Sequence, residues 1–252
     1  MAAALFHRLL AEAVGTALLV LIGAGSVVAT LTVDGRVTYA GLGFISLAFA
    51  VVVAVVVYGF GPVSGAHINP AVTVSLALTR RFPWVEVVPY VLAQVVGALV
   101  GAMLIVAVFG TDSVDLGLGA TTLGDGVPYW QGIVAEAVGT FLLLYAVMAL
   151  AVDSRAPRGW AGLMIGLAVA AAILLIAPQT GGSLNPARTI GPYLTLAIFG
   201  ESVPWSELGV YLVGPLAGGL LAVLVYDLVA QTRVAEKSAQ EESYTAATAE
   251  ER

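Results

Sequence analysis

The chain has 252 residues, 60% of them hydrophobic and only 10% charged, with a formal net charge of −6. A soluble domain carries roughly 25% charged residues, so this balance, with a mean hydropathy of +0.98, excludes a soluble globular fold and indicates a polytopic membrane protein. The chain has no cysteine and two histidines, His7 and His67, which removes disulfide and thiol chemistry and leaves little to build a metal site from. No metal, cofactor or nucleic-acid partner is expected.

Six apolar runs follow in order: Leu5–Thr30, Ala40–Gly59, Val85–Phe109, Tyr129–Val152, Trp160–Ala177 and Leu208–Val229. Each is near the ~20 residues that span a bilayer. The first carries Glu12 and continues at full spanning length, so it reads as a span and not as a cleavable signal. Polar or Gly-rich connectors lie at 31–39, 110–128 and 153–159. Residues 1–232 form one domain, and the polar, acidic stretch 233–252 is expected to be a disordered tail.

Two shorter segments follow the second and fifth runs. Ser64-Gly65-Ala66-His67-Ile68-Asn69-Pro70-Ala71-Val72-Thr73 and Thr180-Gly181-Gly182-Ser183-Leu184-Asn185-Pro186-Ala187-Arg188-Thr189 each read as a loop that becomes a helix. Asn caps the helix and Pro takes its first position, where a missing N–H costs nothing. The apolar stretches that follow, Pro70 to Leu78 and Pro186 to Ile198, cover about half of a ~30 Å hydrocarbon core. They are re-entrant half-helices.

Lys and Arg set the orientation. With six alternating spans, Arg8, Arg80, Arg81, Arg155, Arg158, Arg233, Lys237 and Arg252 fall on one side and Arg36 on the other. Both termini are expected in the cytoplasm and the protein in the cell membrane. The chain also repeats itself. Ala11-Glu12-Ala13-Val14-Gly15-Thr16 recurs as Ala135 to Thr140, 124 residues on, and the Asn-Pro-Ala boxes recur 116 residues apart. Each repeat, about 5–109 and 129–231, holds three spans. An odd number inserts the halves in opposite orientation, an inverted repeat with the half-helix N-termini meeting near the midplane. Irregular backbone at that depth must be buried in protein or line a water-filled cavity, so a pore or binding site is expected between the two caps.

Several residues carry that site. Asn69 and Asn185 cap with the side-chain oxygen, which leaves each amide NH2 free for a solute. Arg188 is the one cation inside an apolar segment. Such a charge is costly and by default functional, though an ion pair with Glu12 or Glu136 is the structural alternative. Those two buried acids read as acceptors for loop N–H groups. Gly65, Ala66 and His67 on one side, and Gly181, Gly182 and Ser183 on the other, supply backbone carbonyls. Gly97/Gly101, Gly162/Gly166 and Gly214/Gly218 are small faces for close helix crossing.

The two Asn-Pro-Ala boxes, the trailing Arg188, the paired Ala-Glu-Ala-Val-Gly-Thr and Gly214-Pro215 resemble the aquaporin, or major intrinsic protein, family. Glu86-Val87-Val88-Pro89-Tyr90, Ala151-Val152-Asp153 and Arg155-Ala156-Pro157 are similar to its archaeal M type. The resemblance covers Leu5 to Val229. It implies an all-α bundle of six tilted helices and two half-helices, one pore per subunit and a homotetramer. It places a four-residue selectivity constriction at Phe49, Ile173, Gly182 and Arg188, with Tyr211 and Leu212 at the rim. Strict water channels of the family have His where this chain has Ile173. Its glycerol channels have Trp at the Phe49 position and Asp after the Arg, where this chain has Thr189. The expected function is a passive channel for water, with weak glycerol passage and room for dissolved gases or hydrogen sulfide, that excludes protons and ions. The alternative is an ion-coupled secondary transporter of a small polar solute. An enzyme is not expected.

Overall fold

The structure is a computed structural model; it describes residues 4–250, and side chains as far as Ala230. It is all-helical among those residues. Six helices are long and apolar enough to cross a membrane. In chain order, α1 is Leu5–Asp34 and α2 Tyr39–Ser64. The half-helix α3, Pro70–Leu78, follows, then α4, Trp84–Phe109, and α5, Tyr129–Val152. After these come α6, Ala161–Thr180, the second half-helix α7, Pro186–Ile198, and α8, Leu208–Glu250. The expected tail, 233–252, falls outside the residues whose side chains are described.

Both half-helices have the bounds that their Pro and apolar residues imply. The second and fifth spans run further than their apolar stretches, to Ser64 and Thr180 in place of Gly59 and Ala177. Gly and Pro near those ends read as breakers, but backbone inside a membrane must stay hydrogen-bonded. The helices therefore absorb Pro62 and Pro178 in their last turns and stop only where Gly65 and Gly181 turn left-handed, at φ +90° and +75°.

The inverted repeat organises the packing. In the first repeat α1 lies along α4, and in the second α5 lies along α8; α2 and α6 pack together between the repeats. Each half-helix crosses over to the other repeat's last span, α3 onto α8 and α7 onto α4. Small residues allow the close crossings. A β-carbon on Gly97 would overlap the backbone of Ala13, and one on Gly218 would overlap that of Ala137, its equivalent 124 residues on. α1 and α5 each contain one π-helical turn, Val20–Ala24 and Met148–Val152.

Candidate functional site

The loops before α3 and α7 have one conformation, used twice. After the closing glycine, Ala66 and Ile68 adopt φ +48° and +44°, and Gly182 and Leu184 adopt +66° and +56°. The left-handed region costs an L-residue roughly 1–2 kcal/mol, so something must hold Ala66, Ile68 and Leu184 there. It is a buried carboxylate in each half. Glu12 accepts from the N–H groups of His67 (2.9 Å) and Ile68 (2.6 Å), from Ser64 Oγ (2.7 Å) and from Gln94 Nε2 (2.9 Å). Glu136 accepts from the N–H groups of Ser183 (2.9 Å) and Leu184 (2.7 Å) and from Thr180 Oγ1 (2.7 Å). Both are fully buried, and hydrogen bonds of this number are what a buried acid requires.

A tyrosine anchors each loop from outside. Tyr90 donates to the carbonyl of Ser64 and Tyr211 to that of Thr180, both at 2.9 Å. Tyr211 is therefore not at a rim: it is fully buried, drawn inward by a hydroxyl that has to find a partner. His67 lies with its ring Nδ1 3.1 Å from Thr73 Oγ1 and its ring centre 4.8 Å from that of Phe82 and 5.4 Å from that of Tyr90. Ser183, its equivalent, makes the same link to Thr189 Oγ1 at 2.7 Å.

The two asparagines cap their helices, Asn69 Oδ1 accepting from Ala71 N–H (2.8 Å) and Asn185 Oδ1 from Ala187 N–H (3.0 Å). Their amide groups are not wholly free. Asn69 Nδ2 donates to the carbonyl of Leu184 (2.9 Å) and Asn185 Nδ2 to that of Ile68 (2.8 Å). The left-handed turns bring those carbonyls within reach, a backbone feature that residue types do not announce. One hydrogen of each amide remains.

Arg188, in the first turn of α7, is 2% exposed. Its Nη1 donates to the carbonyl of Gly119 (2.8 Å), its guanidinium carbon lies 5.4 Å from the centre of the Phe49 ring, and its Nε has no partner among the described residues. It forms no ion pair with Glu12 or Glu136 among the described residues. The Gly119 carbonyl is a functional group that sequence reasoning missed; the glycines flanking Leu118 were the one hint in the sequence, and the left-handed run Gly117, Leu118, Gly119 is seen only in the structure. Val72 stands 116 residues before Arg188, so only one half-helix carries a charge.

Two cavities line up on this arrangement. One, of about 260 Å³, is bounded by Asn69, Asn185, the loop residues 65–68, Ser183 and an apolar wall that includes Val57, Val72 and Val169. It reaches Arg81 and Val152 at one end of the bundle. The other, of about 320 Å³, is bounded by Thr38, Tyr39, Ile45, Gly119 and Gly181. Among the described residues three line both: Phe49, Ile173 and Arg188. Gly182 stands behind them, where a β-carbon would meet Ile173 and Ala177 at ordinary contact distance, 3.4–3.5 Å.

The family profile described as Major intrinsic protein matches residues 2–226. The chain belongs to the major intrinsic protein family. It is 44% identical to Aquaporin AqpM of Methanothermobacter marburgensis over 88% of this chain and 96% of that protein. It is also 44% identical to the Probable aquaporin AqpM of Archaeoglobus fulgidus, over 90% and 98%. Aquaporin TIP4-4 of Zea mays is 43% identical over 88% and 85%. The fold is that of the aquaglyceroporin from Plasmodium falciparum, with a TM-score of 0.79, 22% identity, and 89% of this chain and 96% of that one covered.

In this major intrinsic protein the electrostatics follow from the helix ends. α3 and α7 direct their N-termini at the same region, each equivalent to roughly half a positive charge. Arg188 adds a full one beside them. Groups of three or more His, Cys, Asp or Glu that could hold a metal are absent among the described residues.

Proposed function

We propose that the chain is a passive membrane channel for water. The family, and relatives named as aquaporins, make it a channel and not an enzyme. The observation that carries the reading is the pair of cavities that share Phe49, Ile173 and Arg188, one of them floored by both asparagine caps. In this reading Asn69, Pro70, Ala71, Asn185, Pro186 and Ala187 form the pore centre. Phe49, Ile173 and Arg188, backed by Gly182, form its filter. The carbonyls of Gly65, Ala66, His67, Gly181 and Ser183 form a ladder for water, and Glu12 and Glu136 are struts. Two helix N-termini and Arg188 repel cations, and the remaining Asn hydrogens break the proton wire.

The filter has one donor-rich wall and two apolar ones, so glycerol passes weakly and small neutral molecules such as dissolved gases or hydrogen sulfide fit the lining. The coupled-transporter alternative needs a titratable group at the midplane. Neutral Asn69 and Asn185 occupy it, while both glutamates are engaged by loop N–H groups. The chain is further proposed to sit in the cell membrane with cytoplasmic termini and to form a homotetramer. Light-scattering shrinkage of proteoliposomes, water against glycerol, tests the reading. Water flux above that of protein-free vesicles, insensitive to a pH or sodium gradient, is expected. Flux no faster than in protein-free vesicles overturns it, and a detergent-corrected mass of a stable monomer or dimer overturns the tetramer.

A further inference from the structure

α1 changes winding at Val20–Ala24, where the sequence has no proline to force it. Such π-turns inside α-helices are rare and collect at functional sites. This one is buried at Val20, Gly23 and Ala24, and it backs two walls of the filter. Gly23 faces Phe49: a β-carbon there would come within 2.6 Å of Cδ1 of the ring and closer to two other ring atoms. Ala24 faces Gly119, where a β-carbon would come within 3.0 Å of the Ala24 carbonyl carbon. Gly119 is the residue whose carbonyl receives Arg188.

Among the described residues the second repeat has no such seat. The position 124 residues after Gly23 is Val147, and the residue 116 after Phe49 is Ile165; both line the other cavity. The π-turn of α5 comes later, at Met148–Val152. The bare turn therefore belongs to the filter side and is not a general requirement of the bundle.

We propose that the turn Val20–Ala24 sets the aperture between Phe49, Ile173 and Arg188, with Gly23 as the positioning residue that lets the Phe49 ring lie back from the pore. This rests on the channel reading above. A methyl group at 23 has the ring in its way, and the ring's open side is the cavity pair it lines. The ring moves into the pore, and glycerol is excluded before water is.

The test is the glycerol-to-water permeability ratio in proteoliposomes, per inserted protein, for wild type, Gly23→Ala, Phe49→Ala and the double variant. Gly23→Ala is expected to lower the ratio by about tenfold, the scale of one overpacked methyl group. In the Phe49→Ala background it is expected to change nothing, because the ring that transmits the push is gone. A merely structural role would lower both fluxes together and would do so in either background. An unchanged ratio in Gly23→Ala, or the same drop without Phe49, overturns the inference while the channel reading stands. If Gly23→Ala alone fails to assemble, rescue by Phe49→Ala supports the seat and failure of rescue overturns it. A wild type impermeable to water overturns both readings.

Discussion

Asn69 and Asn185 are bound to each other's loops and not to each other. Asn69 donates to Leu184 at 2.9 Å and Asn185 to Ile68 at 2.8 Å. Each acceptor directly precedes the other asparagine, so the four residues close a ring across the centre of the bundle. The ring fixes where the two remaining amide hydrogens point, since each side chain is held at its oxygen by a cap and at its nitrogen by the opposite loop.

Asn69→Asp separates the two roles of that side chain. Its carboxylate still caps Ala71, but an oxygen now faces the Leu184 carbonyl. Leaving that buried acceptor unpaired is expected to lower stability by about 2 kcal/mol, seen as a lower melting temperature in detergent. Asn185→Asp is expected to do the same through Ile68. Unchanged melting in either variant would show that the cross-donation contributes nothing.

Arg188→Val makes the second half-helix match the first, where Val72 already stands. Water flux is expected to stay or rise, because a bulky donor leaves the lining that the two cavities share. Protons or cations are expected to leak, because the full positive charge goes and only the two helix ends remain. Proton entry into pH-jumped proteoliposomes reads this directly. A variant as proton-tight as wild type would move the whole barrier to the helix ends.

The spans and both half-helices were legible because length, hydropathy and the Asn-Pro start are properties of residue type. Glu12 and Glu136 could be assigned as acceptors from their place in apolar spans. The rest depends on backbone. The Gly119 carbonyl that receives Arg188, the π-turn behind Phe49 and the cross-donation of the asparagines arise from left-handed or rewound backbone, which periodicity does not encode. Tyr211 was placed at the rim by the family resemblance, from its position just before Gly214-Pro215, and only its bond to the Thr180 carbonyl shows it to be a buried anchor.

The connector after α5 carries a pH-dependent contact. Asp153 accepts from Arg155 Nε and from the Arg155 N–H, both at 2.9 Å, and from the Tyr226 hydroxyl of α8. The Arg155 guanidinium, then the Tyr226 hydroxyl, hold its carboxyl well below the usual carboxylate range. A depressed carboxylate stabilises the fold fully above its ordinary value near 4 and loses that contribution as pH falls below it. Arg155 is half exposed, so the effect is modest. Between about pH 5 and pH 3, wild type is expected to lose more melting temperature than Asp153→Asn, and Tyr226→Phe is expected to narrow the gap. Equal losses in wild type and Asp153→Asn would show the contact to be inert.

In the proposed filter, Ile173 sets the chemistry of the wall that accompanies Arg188. It lines both cavities with Phe49 and Arg188, and its side chain offers no hydrogen bond. A solute at that level finds its polar partners on one side only, the Arg188 guanidinium and the nearby loop carbonyls. Water therefore gives up more of its hydration there than it recovers, while a less strongly hydrated molecule loses little. Histidine at 173 adds a donor and an acceptor facing Arg188 and fills space that the aliphatic side chain leaves. Gly182 lies against the same wall, 3.5 Å from Ile173 by its missing β-carbon, so the ring can shift toward it. Ile173→His is expected to hold water flux near the wild-type level and to lower glycerol flux by about tenfold, the cost of crowding a polar solute of that size. The ratio of the two in one set of proteoliposomes cancels differences in insertion. A ratio unchanged in Ile173→His would show that position 173 does not set the filter, and the selectivity would then rest on Phe49 and Arg188 alone.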